Sequence, residues 1–67
     1  MQEKVKHRGK PSEPFGQPGA HGKITRVRDD GPLRITPAAK GIPAMAHVDW
    51  GDFCTWEKLS DLIELKR

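Results

Sequence analysis

The sequence predicts a small all-β barrel of about five short strands, with a 3-10 turn before the last strand and a disordered N-terminal arm. Three observations lead there. Apolar and β-branched residues come in runs of four to six separated by Gly, Pro and Asp turn signals. Two such runs flank Trp50-Gly51 with the spacing of a β hairpin. A chain of 67 residues supports one core at most, since it buries only about 60% of the surface its unfolded form exposes. The division is therefore an arm over residues 1–14 and one barrel domain over residues 15–67.

The arm, MQEKVKHRGKPSEP, holds a single strongly apolar residue, Val5, among charges, Gly, Ser and Pro, too little to offset the entropy of ordering. Phe15 opens a glycine-spaced entry that runs through Gly16, Gly19 and Gly22 into a strand at Lys23–Arg28. Asp29-Asp30-Gly31-Pro32 ends that strand, and Leu33–Thr36 is a short edge strand or loop excursion pinned between Pro32 and Pro37. Thr36–Pro43 is a loop.

Ala44–Asp49 and Asp52–Trp56 then form the hairpin, with Trp50-Gly51 as its turn. A two-residue turn sets Asp49 opposite Asp52, Val48 opposite Phe53, Ala46 opposite Thr55, His47 opposite Cys54 and Met45 opposite Trp56. Alternation alone leaves open which face is core. Glu57–Leu62 suits a 3-10 turn, and Leu62–Arg67 a closing strand. A helix over Thr55–Lys66 competes, because Leu59, Leu62, Ile63 and Lys66 also keep a helical rhythm.

The run Gly19-x-x-Gly22-x-Ile24-x-x-Val27, the later Val48-Asp49-Trp50-Gly51 hairpin, Trp56, the Leu59 turn and the final apolar strand together resemble the SH3-like small barrels of KOW and Tudor type. The resemblance spans residues 15 to 66 and implies a fold, with RNA or a transcription or translation complex as the target natural to a KOW barrel. A Tudor methyl-lysine cage needs several converging aromatic faces. The chain has no Tyr and offers only Phe15, Trp50, Phe53 and Trp56, and it inserts a Pro-rich stretch from Asp30 to Pro43. A plasmid-borne dihydrofolate reductase also uses such a barrel, but its active-site run has no match here.

Charge is unevenly spread. Residues 1–28 carry seven Lys/Arg against Glu3 and Glu13, a net of +5, while residues 29–67 carry a net of −2. Lys4, Lys6, Arg8, Lys10, Lys23, Arg26 and Arg28 form a candidate phosphate-tracking set for RNA or DNA. Against this stands a protein-binding site at the hairpin tip, Trp50 and Phe53 with Asp49 and Asp52, where an exposed Trp would anchor a partner. The alternative for Trp50 is to fold back over the barrel end. Trp56, beside the 3-10 turn, is expected in the core, where its truncation would cost about 3–5 kcal/mol.

The leading functional expectation is thus a non-enzymatic adaptor that contacts another protein, and the alternative is nucleic-acid binding through the arm and first strand. No catalytic residues, cofactor or metal are expected. His47 and Cys54, paired across the hairpin, lack further ligands, His7 and His21 fall in segments read as flexible, and Asp49, Asp52, Glu57 and Asp61 read as a charged rim. The lone Cys54 and the absence of a long apolar run imply a soluble cytoplasmic protein with no membrane contact.

Overall fold

A computed structural model describes residues 3–12 and 16–65. Six strands, β1 (Lys4–His7), β2 (His21–Ile24), β3 (Ile35–Thr36), β4 (Met45–Asp49), β5 (Cys54–Lys58) and β6 (Leu62–Glu64), make one antiparallel sheet that curls into a half-barrel. A 3-10 turn over Leu59–Asp61 precedes β6. The all-β small barrel read from the sequence is therefore the fold, compatible with the SH3-like class, and the competing helix over Thr55–Lys66 is absent from the described residues.

The sheet runs β6-β1-β2-β4-β5, and β3 continues the line of β2 along the same side of β4. Its concave face holds Val5, Ile24, Ala46, Val48 and Leu62, with Leu33, Ile35, Trp50 and Leu59 packed against them. Because side chains alternate along a strand, burial of Ala46 and Val48 sends Met45, His47 and Asp49 to the convex face. Burial by the neighbouring strands settles the face that alternation left open.

The largest correction concerns the arm. Residues 4–7 form a strand hydrogen-bonded on both sides, to β2 and to β6, with Val5 and His7 buried. Local composition cannot reveal this, since the stabilisation comes from strands far along the chain. One is the Ile24 N–H donating to the Glu3 carbonyl at 2.8 Å, another the Leu65 N–H donating to Lys4 at 3.0 Å. The next strand, expected at Lys23–Arg28, is His21–Ile24 instead. Beyond Ile24 the strand gives way to an isolated bridge from Arg26 to Leu33 and single backbone bonds, among them the Thr25 N–H donating to the His47 carbonyl at 2.9 Å. Phe15 and the Lys66-Arg67 end of the closing strand lie outside the described residues.

The hairpin forms, but two residues out of the expected register. Asp49 opposes Cys54, Val48 opposes Thr55, His47 opposes Trp56 and Ala46 opposes Glu57. The turn is a four-residue loop, Trp50–Phe53. The Asp49 carboxylate accepts the Gly51 N–H at 2.8 Å, Gly51 takes φ +104°, and the Trp50 N–H donates to the Phe53 carbonyl at 2.9 Å. A shift of two preserves face parity, so the same residues share each face while all their cross-strand partners change.

Candidate functional site

The convex face of β1 and β2 gathers cations. Lys4 stands directly opposite Lys23, and Lys6 opposite His21. Alternation explains the grouping, because Val5 and Ile24 point into the core and leave Lys4 and Lys23 exposed and Lys6 half-buried on the opposite face. Glu3 partly balances the strip, 3.3 Å from the Lys23 ammonium and 3.1 Å from the Arg26 guanidinium. Desolvation works against the Glu3 carboxylate, but the Lys23 ammonium and Arg26 guanidinium outweigh it and hold the carboxyl below its ordinary range. Lys4 and Lys6 have no ion pair among the described residues.

Of the seven predicted cations, the structure thus brings Lys4, Lys6 and Lys23 together on one sheet face. Arg8 and Lys10 are exposed just past β1. Arg26 and Arg28 lie past β2, where Arg26 donates to the Gly31 carbonyl at 2.6 Å and lines, with Glu3, Lys23, Arg28 and Asp49, an open hollow of about 500 Å³. His21 joins the strip. Nothing local in the sequence marks it, since its place depends on the pairing with β1.

The hairpin tip divides its predicted residues. Asp49 and Asp52 are exposed, whereas Trp50 and Phe53 are half-buried. Trp50 folds back over the end of the core: its indole N–H donates to Thr55 Oγ1 at 2.8 Å and its ring lies 5.9 Å from that of His7. A Cβ at Gly22 would fall 2.5 Å from the Trp50 ring and 2.7 Å from Val48, so the close approach requires glycine there. Trp56, expected in the core, is instead 45% exposed on the convex face. The reason is parity, since Thr55 and Glu57 take the inward positions of β5.

Those inward polar residues belong to a buried hydrogen-bond chain. Glu57 Oε2 accepts the Ser12 N–H at 2.9 Å and the Thr55 hydroxyl at 2.5 Å, and Glu57 Oε1 accepts from His7 Nε2 at 3.1 Å. Burial opposes ionisation of Glu57, but the donors from Ser12, Thr55 and His7 outweigh it and hold the carboxyl below its ordinary range. His7, placed by the sequence in a flexible segment, is instead an inward residue of β1.

His7, Glu57 and Asp61 also offer ligand atoms within 4.8 Å of one another, a candidate metal set. The protonation pattern speaks against it. His7 Nδ1 accepts the Gly9 N–H at 3.0 Å, which places the imidazole proton on Nε2, where it meets Glu57. A metal on Nε2 would need that proton moved to Nδ1, facing the Gly9 N–H. The cluster is a structural network that ties residues 7–12 to β5.

The pairing of His47 with Cys54 does not occur. The register shift puts His47 opposite Trp56 and Cys54 opposite Asp49, with Cys54 exposed and unpaired. His47 Nδ1 shares a hydrogen bond of 2.7 Å with Thr25 Oγ1. No helix among the described residues is long and apolar enough to cross a membrane. Comparison with models of known protein families, with curated proteins and with solved structures finds no match.

Proposed function

We propose that this protein is a non-enzymatic module that binds nucleic acid through the convex face of β1 and β2. The observation that carries the reading is the cross-strand placement of Lys4 against Lys23 and Lys6 against His21. Lys4 and Lys23 are like charges directly opposite on a sheet, which lowers stability, and a polyanion laid across them reverses that effect. Lysines also gain affinity for phosphate backbones by releasing condensed counterions, without needing a cleft. The finer likeness to KOW barrels agrees with this target, and the unpaired Cys54 agrees with a reducing, cytoplasmic setting.

The test is fluorescence anisotropy of labelled RNA and DNA oligonucleotides titrated with the full chain at several salt concentrations. With three to four cations engaged, log K should fall against log salt with a slope of about −2 to −3. The Lys4→Ala/Lys6→Ala pair should lower that slope by about 1.5. Binding that ignores salt, or survives the double substitution unchanged, contradicts the reading.

A second reading, an adaptor that contacts another protein, draws on β5, which pairs with β4 alone among the described strands and so offers an open edge. Its signature is a partner whose binding responds to substitutions in Cys54–Lys58 and is insensitive to Lys4 and Lys6.

A further inference from the structure

The convex face carries more than charge. Resting on the nucleic-acid reading above, we infer that the bound strand is single-stranded and that Trp56 is a platform on which one of its bases stacks. Trp56 sits mid-strand on β5, 45% exposed, on the face that also bears Lys4, Lys6 and Lys23.

The register orders this face into two rows. Lys4, Lys23, Asp49 and Cys54 follow one another across β1, β2, β4 and β5. The second row, two residues along, runs from Thr25 through His47 to Trp56. Two strand spacings and two residues separate Lys23 from Trp56, about 12 Å along the sheet. One strand of nucleic acid can therefore lay phosphates on the lysines and reach Trp56 with a neighbouring base. Asp49, between them, accepts the Gly51 N–H at one carboxylate oxygen. Lys58 follows Trp56 on the same face and supplies a cation at the far side.

The platform is held in place before any ligand arrives. The ring of His47 lies 5.1 Å from that of Trp56 at 56°, and His47 is itself fixed by its 2.7 Å hydrogen bond to Thr25. A side chain positioned in this way loses little freedom on binding. Stacking on it requires an unpaired base, because bases within a duplex already stack on one another. A duplex engages the lysines alone, and so binds by charge without the aromatic contribution.

The experiment compares a labelled single-stranded 12-mer with the matched duplex, using the full chain, Trp56→Ala and Trp56→Phe, with far-UV circular dichroism to confirm that each variant is folded. The single strand should bind more tightly than the duplex. Trp56→Ala should weaken single-strand binding about 5- to 100-fold while changing duplex binding little. Trp56→Phe should keep most of the affinity but lose the quenching of tryptophan emission on binding. Equal affinity for both forms, with Trp56→Ala without effect on either, overturns the platform and leaves the electrostatic reading standing. Binding of neither form at low salt overturns both.

Discussion

Trp50 and Trp56 lie six residues apart on one hairpin, and the fold treats them in opposite ways. Trp50, at the tip, turns back onto the core and gives its indole proton to Thr55; Trp56, in the middle of β5, stands 45% exposed beside His47. Position in the hairpin would suggest the reverse, since tips are exposed and strands pack. What decides the matter is backbone geometry. A four-residue loop lets the Trp50 ring lie over the backbone at Gly22, and strand parity turns Trp56 away from the face filled by Ala46 and Val48. One tryptophan is therefore a stability element and the other a surface element.

The sharpest way to break that contrast is to truncate each ring. Trp50→Ala should cost about 3 kcal/mol, because it removes packing from a very small core and leaves Thr55 without a donor. Trp56→Ala should cost less than about 1 kcal/mol. Urea unfolding followed by circular dichroism checks both, and equal losses would mean that both rings are core.

A smaller effect tests the polar chain beneath Trp50. The Glu57 carboxyl is held below its ordinary range of about 4.5 in the folded state, so its contribution is present above that value and is lost as pH falls through the lower folded one. The urea midpoint should therefore drop on acidification below about pH 4.5. Glu57→Gln should lower stability at neutral pH by about 1–3 kcal/mol and flatten the acid limb, because one of its two acceptor oxygens becomes a donor facing other donors. An acid limb unchanged in Glu57→Gln would remove Glu57 from the account.

How far the sequence could be read follows the same division between local and distant causes. The hairpin, the 3-10 turn and the last strand are set by neighbouring residues and all three form, although β5 runs Cys54–Lys58 where Asp52–Trp56 was expected and the 3-10 turn is confined to Leu59–Asp61. The strand Lys4–His7 is not local. Its stability depends on β2, β6 and a buried Glu57 fifty residues away, so composition alone makes the stretch look like a tail. Hairpin parity was readable and its register was not, because register turned on the Asp49 cap of Gly51 rather than on hydrophobic alternation. For the candidate site, Lys4, Lys6 and Lys23 were visible as charges, but their meeting on one face with His21 and Trp56 depended on cross-strand pairing.

The most direct test of the central claim, that the convex face and not the hairpin tip is the binding surface, is a two-dimensional amide spectrum recorded while a single-stranded oligonucleotide is added. The account predicts shifts at Lys4, Lys6, His21 and Lys23 and at the indole N–H of Trp56, with the indole N–H of Trp50 held by Thr55 and little moved. A response confined to residues 49–53, with the lysine strip and Trp56 silent, would contradict it.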